Sequence, residues 1–248
     1  MKGIGKVRNL ISESRIGFKH IIILAVIGLE LFPFYMMLQI SVKDDAQFIT
    51  NPFFPNWVGA WNWDNYLYAF KLITPYIVNT VFVAVLSVSI SLTLAVFGAY
   101  FFARQKVPGS TILWMLFLVL LMMPGVANIV TLYNILKNLN LLNTLLAIIA
   151  VGVAGGQALQ IFVLRNFIED LPKDLFDAAE IDGASHFGKV VHVVFPLCRS
   201  IIGSLAVLMF ISEWNEFILP LIILRDSGLF TLGVGLVYLE EGASVREW

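Results

Sequence analysis

Of the chain's 248 residues, 59% are hydrophobic and 13% are charged, about half the charged share of an ordinary soluble domain. Sixteen basic against seventeen acidic residues leave a net charge of −1, and the mean hydropathy is +0.86; together these exclude a disordered chain, a basic nucleic-acid binder and a soluble globular enzyme. The single cysteine, Cys198, cannot form an intrachain disulfide, and His20, His186 and His192 stand without a tight set of metal-ligating neighbours, so no disulfide scaffold, metal or cofactor is expected.

The bilayer is the solvent that suits this composition. Crossing about 30 Å of hydrocarbon takes about 20 mostly apolar residues in a helix, which leaves no backbone group unpaired in lipid. Five stretches meet that length: His20 to Ile40, Tyr76 to Phe102, Ile112 to Tyr133, Leu141 to Leu164 and Phe195 to Leu224. The expected fold is therefore an all-α, polytopic membrane helix bundle with about five crossings. The first stretch follows Lys2, Lys6, Arg8, Arg15 and Lys19. Its apolar run is too long for a signal peptide and no small-residue cleavage site follows, so it reads as a retained anchor behind a cytoplasmic segment, residues 1–19. With the N-terminus in the cytoplasm, eleven Lys and Arg fall inside, and five (Lys43, Lys71, Lys137, Arg225 and Arg246) fall outside, the asymmetry that orients membrane proteins.

The loop from Ser41 to Pro75 then faces outward. Its Trp57, Trp61, Trp63, Tyr66 and Tyr68 suit either an aromatic belt at the membrane boundary or a docking surface for an external partner. In the third stretch, Met122-Met-Pro-Gly125 predicts a kink, because Pro124 lacks a backbone donor and clashes with the preceding turn. In the fourth, Gly152 and Gly156 form a small-xxx-small face open to packing within the chain or to pairing between subunits. Gln157 and Gln160 are candidate pathway residues in the same stretch. In the fifth, Glu213 and Glu216 stand three apart and so share a helix face. With Trp214 and Asn215 they suit either a passage for a hydroxyl-rich solute or polar glue between helices. Glu30, midway along the first stretch, poses the same alternatives. The run from Phe230 to Leu239, ten residues containing Gly233 and Gly235, is too short to cross and reads as interfacial or extracytoplasmic.

Between the fourth and fifth stretches lies a cytoplasmic loop with its own pattern. Pro172 suits a first helical position; Leu175, Phe176, Ala179 and Ile181 make an apolar stripe; Gly183 supplies the left-handed residue that ends a helix. Ser185 can cap a second helix, whose Phe187, Val190, Val191 and Val194 lead toward the membrane. An amphipathic helix outside the bilayer needs a cover, and a groove on a partner is one solution. The small Ala178 and Ala179 admit close approach of another backbone.

Asp177-Ala178-Ala179-x-x-Asp182-Gly183-Ala184, followed by Pro196-Leu197, resembles the EAA loop of binding-protein-dependent ABC transporter permeases, in spacing and in its place between two crossings. Ser41-Val-Lys-Asp-Asp45, Trp63-Asp-Asn-Tyr66, Tyr100-Phe-Phe-Ala-Arg104, Val163-Leu-Arg-Asn-Phe167 and Glu213-Trp-Asn-Glu-Phe217 are similar to the carbohydrate-uptake permeases related to the maltose transporter. The family's usual first Glu is Asp177 here, which keeps the charge. The resemblance implies a type I ABC importer permease fold over residues 20–248, a coupling loop at about 165–196, and a cell (inner) membrane location in a bacterium or archaeon. It implies four kinds of partner: two ABC ATPase subunits on the cytoplasmic face, a second homologous permease, an extracytoplasmic solute-binding protein that delivers a sugar or oligosaccharide, and membrane lipid. Members normally carry a sixth crossing after the position of Trp248, so a truncated permease is also expected.

A Gly-x-x-x-x-Gly-Lys-Ser/Thr phosphate loop is absent from the sequence, so this chain is not expected to hydrolyse ATP or to be an enzyme. The rivals are a permease for a polyamine or phosphate ester, a passive channel, and a membrane-bound enzyme, for which no convergent catalytic constellation is found.

Overall fold

A computed structural model describes residues 2–57, 60–105, 108–122 and 129–246. Every regular element among the described residues is helical. The chain divides into two units, residues 1–72 and 73–248.

In the first unit, α1 (Lys2–Ser41) leads through a short turn to α2 (Asp45–Thr50). From Lys19 to Ser41 it carries an apolar surface long enough to cross a bilayer, and most of those side chains are exposed, as on a helix whose solvent is not water. Beyond it the chain folds back through polar contacts. The Lys43 ammonium is buried and donates to the carbonyls of Asn51 and Phe54. The Asn65 amide donates to the carbonyls of Ser41 and Lys43 at 3.0 and 2.9 Å. Asp44 and Gln47 close a reciprocal capping box at the start of α2. Trp57, Trp63 and Tyr68 are exposed, whereas Trp61 is half-buried and donates its indole N–H to the carbonyl of Asn56 at 3.0 Å.

In the second unit the organising element is α3 (Asp64–Arg104). Its buried positions recur at helical spacing, and Ala84, Ser87, Ser91, Ala95 and Ala99 are wholly covered. Such small residues let neighbouring backbones come close, which replaces hydrophobic driving force inside a membrane. Around it lie α4 (Ser110–Met122), α5 (Ile129–Asn138), α6 (Leu145–Gly155) and α7 (Gln157–Asp170). Then come α8 (Lys173–Ile181), α9 (His186–Lys189), a π-helical turn over Val190–Val194, α10 (Phe195–Leu197) and α11 (Arg199–Trp214). The chain continues through α12 (Ile218–Ile223) to α13 (Leu232–Arg246). The main core joins Val96, Leu164, Ile168, Val190, Val194 and Cys198.

Several expected crossings are broken. The fourth bends by 41° between α6 and α7 at Gly156, which lacks a side chain to hold the turn. The fifth, expected to run unbroken from Phe195 to Leu224, stops at Trp214 and resumes at Ile218. The amide of Asn215 turns back to the carbonyl of Ile211 at 2.7 Å, and a carboxylate oxygen of Glu216 accepts the Leu219 N–H at 3.0 Å. A second bend of 79° separates His186–Leu197 from α11. The third comprises α4 and α5, and the kink expected at Pro124 lies outside the described residues. Among the described residues two helices are each long and apolar enough to cross a membrane, and each of the two bent pairs reaches crossing length together. The segment expected to be short and interfacial is a 15-residue helix, α13. Its Leu232 N–H donates to the Thr80 hydroxyl at 2.7 Å, and Gly235 lies against the Tyr76 ring, where a Cβ would collide at 2.3 Å.

Candidate functional site

The loop between α7 and α11 folds as two short helices. Pro172 holds the cap position of α8, one residue earlier than the expected first helical position. At the other end Gly183 has φ +78°, the left-handed conformation that glycine adopts without a Cβ penalty. The Gly183 N–H donates to the carbonyl of Glu180 and the Ala184 N–H to that of Ala179, at 3.0 and 2.9 Å, which is the Schellman pairing. The Ser185 hydroxyl then accepts the Gly188 N–H at 3.2 Å and caps α9. Asp177, Ala178, Asp182, Gly183 and Pro196 are exposed, Ala179 and Ala184 are half-covered, and Phe176 is buried. Of the expected apolar stripe, Leu175 is 41% and Ile181 87% exposed. The short helix therefore has a packed side and an outward side that still carries apolar surface.

What fixes the packed side is Arg104, at the end of α3. Its guanidinium donates to the carbonyls of Ile168 and Leu171, both at 2.6 Å, and lies 4.3 Å above the Phe176 ring. One cation thus ties α3 to the end of α7 and to α8. Tyr100, one turn earlier, stacks on Phe176 and brings its hydroxyl 3.2 Å from Nδ1 of His186; the Gln105 amide nitrogen lies 3.0 Å from the same atom. The Lys189 ammonium, nearly covered, meets the carboxylate of the exposed Glu180 at 2.6 Å. The hydrogen bond from Lys189 pulls the Glu180 carboxyl below its ordinary range, and the same bond raises the Lys189 ammonium. Beneath these groups opens a cavity of ≈ 870 Å³ whose walls include Arg104, Lys173, Asp177 and His186. Sequence reading quoted Arg104 without giving it a role. Its partners lie 64 and 67 residues away, and the signal that could have found it is a cation at a helix end one turn after an aromatic residue.

The other site is a cavity of ≈ 490 Å³ between α5, α6, α7, α11 and α12. Leu132, Ile148, Leu159 and Leu208 line it with Gln160, Ser212, Glu213 and Glu216. Glu213 leans on Gly152, where a Cβ would lie 2.7 Å from either carboxylate oxygen. Gly156 is likewise filled by the Gln160 amide, so both glycines of the small-xxx-small face serve packing within this chain. The buried Gln160 accepts the Ser91 hydroxyl at 2.8 Å. Gln157 donates to the carbonyls of Ser91 and Val153 at 3.0 and 3.1 Å and joins helices away from the cavity lining. Trp214 stacks on Phe210 at 5.8 Å, and neither it nor Asn215 is among the lining residues. Of the expected pathway residues, the structure thus brings Glu213, Glu216 and Gln160 to one cavity and leaves Trp214, Asn215 and Gln157 outside it. Glu30 is exposed on α1.

Residues 74–239 match the family model described as binding-protein-dependent transport system inner membrane component. The chain is 29% identical over 231 residues to the arabinooligosaccharides transport system permease protein AraQ of Halalkalibacterium halodurans, covering 90% of this chain and 79% of that one. It is 32% identical to the sulfoquinovosyl glycerol transport system permease protein SmoH of Agrobacterium fabrum, over 88% of this chain and 76% of the relative. In three dimensions it is similar to a chain of a bacterial ABC transporter involved in the import of the acidic polysaccharide alginate. That match has a TM-score of 0.76 at 22% identity and covers 93% of this chain and 80% of the other, a likeness of fold.

Proposed function

Because the chain belongs to the family of binding-protein-dependent transport system inner membrane components, we propose that it is the permease through which an ABC importer moves a carbohydrate. Membership makes it an integral membrane transport subunit, with ATP hydrolysed by separate subunits. The carbohydrate reading is supported by the saccharides in the names of its relatives and by a cavity that combines apolar walls with Glu213, Glu216 and Gln160, the mix by which a pocket orients a hydroxyl-rich ring.

The observation that carries the mechanism is the loop from Lys173 to Pro196. Its outward side offers Asp177, Ala178 and Asp182, while Arg104 holds its inward side to α3 and α7. In this reading α8 docks on an ATPase subunit, a second permease completes the pathway, and an extracytoplasmic binding protein delivers the solute. When the ATPases close, the push on α8 passes through the Arg104 bonds to α3, and the cavity changes the face it opens to. In this reading the N-terminus lies in the cytoplasm, an orientation supported by the eleven-to-five distribution of cations.

The test is reconstitution with the partner subunits in proteoliposomes and measurement of uptake and solute-stimulated ATPase activity. Ala178→Asp places a charged side chain on the exposed small face; membrane insertion should persist while both activities are lost. Normal stimulated ATPase activity in that variant would sink the docking role. Uptake of a polyamine or phosphate ester in place of a neutral oligosaccharide would overturn the substrate class.

A further inference from the structure

We propose that Arg165 is a positioning residue that locks α4 onto α7 through the indole of Trp114, so that α4 moves as one body with the docking loop. The inference rests on α8 being the docking helix. Arg165 stands in the Val163-Leu-Arg-Asn-Phe167 motif, which the docking reading leaves unused. Its guanidinium lies 4.1 Å from the centroid of the Trp114 ring. Glu169, one turn on, meets the same guanidinium at 2.6 Å. Phe162, one turn back, stacks on the indole at 6.0 Å and 6°, and Phe102, near the end of α3, approaches it at 5.5 Å. Trp114 is therefore held from α3 and from two successive turns of α7.

The rest of α4 gives little to hold. None of its residues is buried, and Trp114 and Phe117 are the α4 side chains that pack against the main core. Inside a membrane no hydrophobic force presses such an apolar helix onto its neighbours, so close packing and a few polar contacts must set its position. A guanidinium over a ring face is drawn by the ring quadrupole, most strongly over an indole. The Arg165 Nε is buried without a hydrogen-bond partner among the described residues, which leaves Glu169 and the Trp114 ring as the groups that engage this cation. Arg104, for its part, takes the carbonyls of Ile168 and Leu171, and Ile168 lies three residues after Arg165. The two arginines thus act in series. Arg104 passes a displacement of α8 to α3 and the end of α7, and Arg165 passes it from α7 to α4.

The experiment uses the complete importer in proteoliposomes and reads solute imported per ATP hydrolysed. Loss of active protein lowers both quantities alike and cancels in that ratio. Arg165→Gln should lower it about threefold or more, the scale of a cation–π contact at a half-covered site, and Arg165→Lys should restore part of it. Trp114→Leu should cost a similar factor alone and add little on top of Arg165→Gln, as expected of two residues that share one contact. Nitroxide labels on Leu116→Cys in α4 and Asn166→Cys in α7, both exposed positions, report the movement, with Cys198→Ala and otherwise cysteine-free subunits. Their separation should be the same with and without ATP in the parent, and should shift or spread with ATP in Arg165→Gln. If Arg165→Gln does not assemble, Arg165→Lys and Trp114→Phe carry both readouts. A separation that changes with ATP in the parent would overturn the single body. Losses that multiply in the double variant would remove the Arg165–Trp114 contact as its source. Should Ala178→Asp import normally, the docking reading and this inference fall together; should it fail while Arg165→Gln keeps the parent's ratio, this inference alone falls.

Discussion

The loop between α7 and α11 and the cavity beside Glu213 handle polar groups in opposite ways. In the loop each key group is engaged: Arg104 by two carbonyls and a ring, Lys189 by Glu180, and His186 Nδ1 by Tyr100 and Gln105. In the cavity the Glu213 carboxyl lies against the bare backbone of Gly152 and has no side-chain hydrogen bond or ion pair among the described residues. A joint that transmits force gains from satisfied, stiff contacts. A surface that must accept and release a solute gains from groups whose partner comes with the solute. The contrast implies that damage to the loop lowers stability and coupling together, whereas damage to the cavity alters transport with stability nearly intact.

The sharpest way to break that contrast is Arg104→Ala. It strands the carbonyls of Ile168 and Leu171 and bares Phe176, at an expected cost on the order of 3 kcal/mol. The thermal midpoint of the purified complex should fall and uptake should vanish. Arg104→Lys should recover only part of either, since an ammonium can donate to both carbonyls from its one nitrogen but lacks the planar guanidinium that lies over the Phe176 ring. An unchanged midpoint would remove Arg104 as the tie.

Next in size is Gly183→Ala. Nothing lies within 4 Å of the added Cβ, so the cost is the left-handed backbone alone, about 1 to 2 kcal/mol. Asparagine at the same position should cost less than alanine, because it tolerates that conformation better. Solute-stimulated ATPase activity should rank Gly, Asn, Ala; equal values for all three would show that the turn need not be held.

Gly152→Ala probes the cavity. Alanine favours the helix by about 1 kcal/mol over glycine, which offsets the displacement of the flexible Glu213 end. The thermal midpoint should stay nearly level while the uptake rate changes. A large fall in midpoint without a change in uptake would reverse the assignment of roles.

The smallest effect is the pH dependence of the Glu180–Lys189 pair. Glu180 is lowered, so its contribution is full above the ordinary carboxylate range and is lost as pH falls through the depressed value. Lys189 is raised, so its contribution is full below the ordinary ammonium value and is lost as pH rises through the elevated one. A plateau through neutrality follows. Glu180→Gln should shift the thermal midpoint only slightly within that plateau and flatten the acid edge. A steep change between pH 6 and 8 assigned to this pair would contradict the geometry.

The loop was largely legible from residue order because its devices are local: the cap at Ser185, the left-handed Gly183 and the buried Phe176 all act within a few positions. The breaks in the crossings were not. An apolar run reports solvent, and it is silent on whether the backbone stays straight; Gly156 and the Asn215–Phe217 interruption sit inside runs that hydropathy reads as continuous. The site was legible in part. Glu213 and Glu216 share a cavity, but not through the common helix face their spacing suggested, since α11 ends at Trp214 and Glu216 lies in the interruption; Trp214 and Asn215 turn to Phe210 and to the backbone at Ile211. Arg104 escaped because its role depends on contacts across more than 60 residues, for which no periodicity exists.

The π-helical turn over Val190–Val194 gives the chain one residue of slack ahead of α11. A widened turn accommodates one residue more than an α-helix would, and each residue of an α-helix rotates the chain by about 100°. Removing one valine and letting the segment relax to α geometry would therefore keep the following stretch in register, whereas one added residue would turn it by about 100° and carry Cys198 away from the core it now fills. Val190 and Val194 are buried in that core, so their side chains are constrained as well. A one-residue insertion there is therefore expected to cost more than a one-residue deletion, without touching any residue that lines the cavity.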